Sequence, residues 1–176
     1  GMPGPSGLES KDQTPVGATP DNRAIIVDGR LVADGPAAAN IPGVVAGLDY
    51  LYRKYSSGKV KWAGLFSPAI KLADEGFVLD EALPTSIAVG RQYLEKYPEA
   101  AAIYLPGGKV PRPGDRFYNK DYAATLRAIA ADGADTFYRG EIARKIAADM
   151  HANGGIITYA DLAQYRPIQR GPVLPQ

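Results

Sequence analysis

Between Asn40 and Pro167 apolar residues recur three and four positions apart, the spacing of helices that turn one face from water. Val44, Val45, Leu48, Leu51, Tyr52 and Tyr55 form the first such face, with Asn40 and Pro42 suited to its start and Ser56-Ser57-Gly58 to its end. Trp62, Leu65 and Phe66 make a short amphipathic turn. A helix is then expected to restart at Ser67-Pro68, with Ser67 as its cap and Pro68 in the first turn, where a missing N–H costs nothing. It turns Ile70, Leu72 and Ala73 inward and stops at Gly76, a left-handed cap. Leu79 to Tyr97 reads as one helix, uneven around Gly90, with Leu83, Ile87 and Leu94 inward. Pro106 to Gly114 is an expected exposed loop. The next helix covers 121–132, turns Tyr122, Leu126 and Ile129 inward and is closed by Gly133. Phe137-Tyr138 sits in a turn before Gly140. A helix from Glu141 to Asn153 buries Ile142, Ile146 and Met150 and ends at Gly154-Gly155. Thr158 and Asp161 are spaced as an acidic capping box, opening a last short helix that Pro167 ends.

Outside this stretch the period shortens. Arg23 to Val32 places two β-prone runs around Asp28-Gly29, the dipeptide favoured where both turn residues need positive φ. Ile168 to Leu174 has the look of a strand being entered as the chain stops, and Gly1 to Gly7 alternates glycine and proline, so both ends read as cut. The expected organisation is a loop segment at 1–22, a β-hairpin at 23–36, a helical domain at 37–167 and a truncated strand at 168–176. That is a mainly α fold with a short N-terminal hairpin and a truncated C-terminal strand. No repeat of about 20 to 50 residues is present, which excludes a solenoid.

Composition narrows the chemistry. With 45% apolar and 22% charged residues the chain is ordinary globular protein, so disorder over most of its length is excluded. A net charge of +1, with acids and bases interspersed, provides no field for nucleic acid or an anionic membrane. No apolar run approaches the roughly 20 residues that span a bilayer. Cysteine is absent and histidine occurs once, which removes thiol nucleophiles, thiolate sites and histidine-rich metal clusters.

The remaining candidates have ordinary explanations. Gly107-Gly108 and Gly154-Gly155 lack the strand-then-helix setting of a phosphate loop and suit turns or caps. Asp74-Glu75, and Asp132 with Asp135, are acidic pairs at helix ends, where adjacent positions do not face each other as glycosidase carboxylates must. His151 falls in the last turn of its helix, where a partial positive charge suits the dipole, and no Ser-His-Asp set can be assembled around it. The eleven tyrosines are spread along helix faces as packing residues with polar tips. From the residues alone, no catalytic residue and no metal site is expected in this chain.

Several phrases nevertheless occur in order: Ile41-Pro42-Gly43-Val44-Val45-Ala46-Gly47-Leu48, the run from Trp62-Ala63-Gly64-Leu65-Phe66 to Glu75-Gly76-Phe77, Ala124-Thr125-Leu126-Arg127-Ala128-Ile129-Ala130, Phe137-Tyr138-Arg139-Gly140-Glu141-Ile142-Ala143, and the run from Gly154-Gly155-Ile156-Ile157-Thr158 to Tyr165. Together, over about residues 40 to 170, they resemble the large subunit of γ-glutamyltransferases, also called γ-glutamyltranspeptidases or glutathione hydrolases.

The resemblance implies the helical part of the large subunit of an N-terminal-nucleophile hydrolase, working without a cofactor. In that family a precursor cleaves itself, and the freed threonine of the small subunit attacks the γ-glutamyl amide with its own α-amine as base, which removes the need for histidine. The γ-glutamyl group then passes to water or an amine. The expected partners are thus a small subunit of the same precursor and a γ-glutamyl small molecule; the threonine and the oxyanion glycines would lie outside these residues. A homodimer through an apolar face left open is a further expectation. Family members are often periplasmic or secreted. The family's large subunit grips the substrate α-carboxylate with an arginine, in a phrase to which Lys11-Asp12-Gln13-Thr14-Pro15 corresponds. Lys11 is then either the substrate-binding residue, keeping the charge but losing the two-pronged fork of arginine, or a solvated loop residue. That departure leaves room for a related acylase acting on another amide. A free-standing helical interaction domain on an old enzyme scaffold is the alternative without catalysis.

Overall fold

The computed structural model describes residues 25–27, 30–32, 35–169 and 171. In chain order its elements are β1 (Ile25–Val27), β2 (Arg30–Val32), a 3-10 turn at Pro36–Ala38, α1 (Val44–Tyr55), α2 (Trp62–Glu75) and β3 (Phe77–Val78). There follow α3 (Ala82–Leu94), α4 (Pro98–Tyr104), a 3-10 turn at Pro106–Gly108, β4 (Arg116–Phe117), α5 (Lys120–Asp132), α6 (Ala134–Tyr138), α7 (Glu141–Ala152) and α8 (Tyr159–Gln164). The protein is therefore mostly helical. It falls into two compact units, one formed by the chain up to Val60 together with Asp132 onward, the other by Lys61–Ala131.

In the first unit β1 and β2 pair antiparallel with Val27 opposite Arg30. The intervening Asp28-Gly29 lies outside the described residues, as do most of the residues of the expected C-terminal strand; Ile168 and Gln169 are not in a strand. The core gathers on α7 and α8. Ala143, Ile157 and Leu162 are buried together, with Ile41, Ile146 and Met150 packed against them. The capping box forms as expected: Asp161 N–H donates to the Thr158 hydroxyl at 3.2 Å, and Thr158 N–H donates to the Asp161 carboxylate at 2.8 Å. Helix α1 departs from expectation. Val44, Leu48, Leu51 and Tyr55, expected inward, are 72%, 51%, 52% and 63% exposed. What faces α6 is the other side of the helix, around Ala46, so its apolar line is left open to solvent.

The second unit corrects three boundaries and two inward residues. Helix α2 begins at Trp62 and runs through Pro68 instead of restarting there. The Trp62 indole donates to the Ile129 carbonyl at 2.9 Å and meets the Phe66 ring edge-on at 4.9 Å. This anchor holds the first turn in the helix although Pro68 lacks an N–H. The inward line is then Trp62, Phe66, Ile70 and Ala73, while Leu72 is 52% exposed. Leu79 is buried but not helical, because its N–H and C=O are held by Asp115 and Gly114, both at 2.9 Å. At the other end Pro98 forces Tyr97 into an extended conformation (φ −122°, ψ 105°), so α3 stops and α4 starts with Pro98 at its first position. The two-residue ladder of β3 with β4, which sets Phe77 opposite Phe117, is too short to leave a sequence pattern. On α5 the buried line is Ala123, Leu126 and Ile129; Tyr122, about 100° around the helix from Ala123, is 55% exposed.

Candidate functional site

Tyr138 organises the polar side of the first unit. Helix α6 is only five residues long and ends on this tyrosine, which is 3% exposed and lies in a helix, not in the turn expected for Phe137-Tyr138. Its hydroxyl donates to the Pro42 carbonyl at 2.5 Å and accepts from the Ala46 N–H at 3.0 Å. Ala46 lies in the first turn of α1, where backbone donors have no helical partner, and the glycine that caps this helix provides no side chain. The phenol of Tyr138 therefore does the work of a cap from a residue far along the chain. Burial pushes its pKa up, and the Ala46 N–H opposes that rise.

Two glycines make this arrangement possible. The Tyr138 ring stacks on Tyr165 with centroids 5.5 Å apart and planes 13° from parallel. Tyr165 in turn lies over Gly43, where a Cβ would fall on its hydroxyl and sit 3.2 Å from Cζ. At Gly140, between α6 and α7, a Cβ would come within 2.6 Å of the Thr136 Cα and 2.7 Å of its carbonyl oxygen. Three of the family-like phrases, at 41–48, 137–143 and 154–165, thus meet in one place. The other two meet within the second unit, where Trp62 reaches Ile129 and Arg127 donates to Asp74 at 2.5 Å.

Beside the tyrosine pair lies an open cavity of about 510 Å³, walled by α1, α6 and the segment after α8. Arg53, Lys54, Arg139 and Arg166 line it, against only Asp49 and Asp135. Arg53 is paired with Asp49 at 2.8 Å and Arg139 with Asp135. The hydrogen bond and charge of Asp49 raise the Arg53 pKa. Lys54 donates to the Tyr50 hydroxyl at 2.8 Å and to Gln169 Oε1 at 2.7 Å, and the Tyr50 bond raises its pKa. Arg166 donates to the carbonyls of Ala163 and Tyr165, at 3.1 and 2.7 Å. No serine, threonine or histidine is in the lining, and its polar side chains are bases, two aspartates and tyrosine hydroxyls. Sequence reasoning missed it. Asp49 with Arg53 and Asp135 with Arg139 were legible as pairs four apart, but their convergence depends on how α1 meets α6.

The residues weighed from sequence are placed as follows. Lys11 lies outside the described residues. Asp74 is engaged by Arg127, and Glu75 stands 3.9 Å from Lys71. Gly107, Gly108 and Gly154 have φ of 63°, 74° and 72°, as turn or cap glycines do. His151 is exposed in the last turn of α7. Among the described residues no group of three His, Cys, Asp or Glu is placed to hold a metal ion, and no helix is long and apolar enough to cross a membrane.

Comparison with known proteins adds a family relationship. The family model described as Gamma-glutamyltranspeptidase matches residues 5–175. The chain is 40% identical over 171 residues to a glutathione hydrolase proenzyme of Pseudomonas sp. strain A14, covering 94% of this chain and 29% of that protein. It is 40% identical over 139 residues to the acylase ACY 1 proenzyme of Pseudomonas sp. strain SE83, covering 79% of this chain and 25% of that protein. Among solved structures, a γ-glutamyltranspeptidase of Helicobacter pylori superposes with a TM-score of 0.75 at 37% identity, over 88% of this chain and 45% of that one. The chain spans under a third of the length of these two relatives.

Proposed function

Because the chain belongs to the γ-glutamyltranspeptidase family, we propose that it forms the helical part of the large chain of an enzyme that hydrolyses γ-glutamyl amides of the glutathione type. The γ-glutamyl group passes to water or to an amine through a threonine nucleophile carried on a segment outside these 176 residues. The observation that carries this proposal is the fate of the family-like phrases. They meet as packing devices, Tyr138 with Pro42 and Ala46, Tyr165 over Gly43, and Trp62 on Ile129. Such phrases specify a scaffold, and a scaffold is what a chain without its own nucleophile contributes.

In this account Lys11 holds the substrate α-carboxylate as a point charge, and the open apolar line Val44, Leu48, Leu51 and Tyr55 meets the nucleophile-bearing partner or a second copy of the chain. The compartment that goes with such an enzyme is the periplasm or the exterior of the cell. The assignment is tested by chromophore release from a γ-glutamyl anilide by the whole protein. Lys11→Ala is expected to raise KM about tenfold or more, as loss of a charge-assisted contact requires. An unchanged KM would remove Lys11 from the substrate site. An acylase acting on another amide, such as a β-lactam side chain, is the second possibility, favoured by the 40% identity to an acylase proenzyme. Self-cleavage without turnover of the anilide would favour it.

A further inference from the structure

The cavity beside Tyr138 and Tyr165 has more positive than negative charge in its walls, and the surplus can be assigned to particular residues. Arg53 and Arg139 are each matched by a carboxylate one helical turn away. Lys54 and Arg166 are not: among the described residues the lysine meets the Tyr50 hydroxyl, the Gln169 amide and the Tyr50 and Tyr55 rings, and the arginine two backbone carbonyls, all without formal charge. The two stand on different elements, Lys54 in the last turn of α1 and Arg166 just past α8. The volume of about 510 Å³ is ample for a small organic molecule. Tyr165, half-buried, adds aromatic surface to the wall, while the Tyr50 hydroxyl is already engaged, donating to Gln169 and accepting from Lys54.

We propose that this cavity binds a small dicarboxylate, with one carboxylate at Lys54 and the other at Arg166. Two cations carried on different elements favour a ligand whose charges sit on separate groups over a single compact anion, and Arg166, whose Nη1 is held by two carbonyls, keeps Nε and Nη2 for its carboxylate. The site does not depend on the amidase assignment: it stands or falls on its own charges.

Calorimetric titration of the whole protein with succinate, acetate and inorganic phosphate tests it. Saturable binding of succinate is expected, weakening as sodium chloride is raised, with acetate at equal ionic strength giving none. Lys54→Met and Arg166→Gln are each expected to weaken succinate binding about tenfold or more. Lys71→Gln, an exposed cation on α2, is the control for net charge and should leave it unchanged. Both Lys54 and Arg166 are exposed, so the variants should keep the wild-type thermal midpoint. The proposal is overturned if succinate shows no saturable binding, if both variants bind it as the wild type does, or if phosphate binds at this site and succinate does not.

Discussion

Tyr138→Phe deletes one oxygen that closes two backbone groups at the start of α1, the Pro42 carbonyl and the Ala46 N–H. Leaving such groups unmet costs about 1–3 kcal/mol, which urea denaturation would register as a lower midpoint at unchanged slope. The same residue gives a pH dependence with a fixed sign. Burial raises the phenol above its ordinary value of 10.0, so the folded state holds that proton more tightly than the unfolded chain. Its stabilisation is complete below pH 10 and is lost as the pH rises through the raised value. The alkaline loss of stability should accordingly be smaller in Tyr138→Phe than in the wild type. Gly43→Ala tests the neighbouring contact. The added methyl meets the Tyr165 hydroxyl, and overpacking of this kind costs about 1–3 kcal/mol. Removing that oxygen in the double variant Gly43→Ala, Tyr165→Phe should recover part of the loss; a purely additive pair would dissociate the glycine from the tyrosine.

At the scale of elements, local chemistry was readable and long-range contact was not. The capping box at Thr158 and Asp161 is written in four adjacent residues, and it forms. Thr158→Ala should therefore cost about 0.5–2 kcal/mol by thermal or urea unfolding. The helix break at Pro98 is equally local, yet the apolar period that continues to Tyr97 masks it in the sequence. Pro68 misled in the opposite direction. A proline suggested a new start, and the Trp62 anchor on Ile129, 67 residues away, carried the helix through it. The cap that Tyr138 gives α1 joins residues 96 and 92 positions apart, which no short window contains. Amphipathic spacing located α1 and α5 correctly. It did not settle which apolar residues find a partner within the chain: Tyr122 and the Val44, Leu48, Leu51, Tyr55 line do not. The paired cations and aspartates of the candidate cavity were each visible, and only the meeting of α1, α6 and the segment after α8 makes them one site.

For the whole molecule, the open line on α1 is the surface proposed to meet a partner. Leu48→Asp lies on an exposed position, so it should leave the folding of this chain nearly untouched while impairing assembly of the complete enzyme. Size-exclusion chromatography of the processed protein would show that as loss of the two-chain species. The relationship to γ-glutamyltranspeptidases is carried by these 176 residues, and the proposed chemistry would rest on a threonine outside them. The most direct measurement is chromophore release from a γ-glutamyl anilide by the whole protein, in parallel with its self-cleavage. Self-cleavage into two chains and steady release by the cleaved form are expected. Self-cleavage with no release would contradict the γ-glutamyl assignment, and an uncleaved, inactive protein would contradict catalysis altogether.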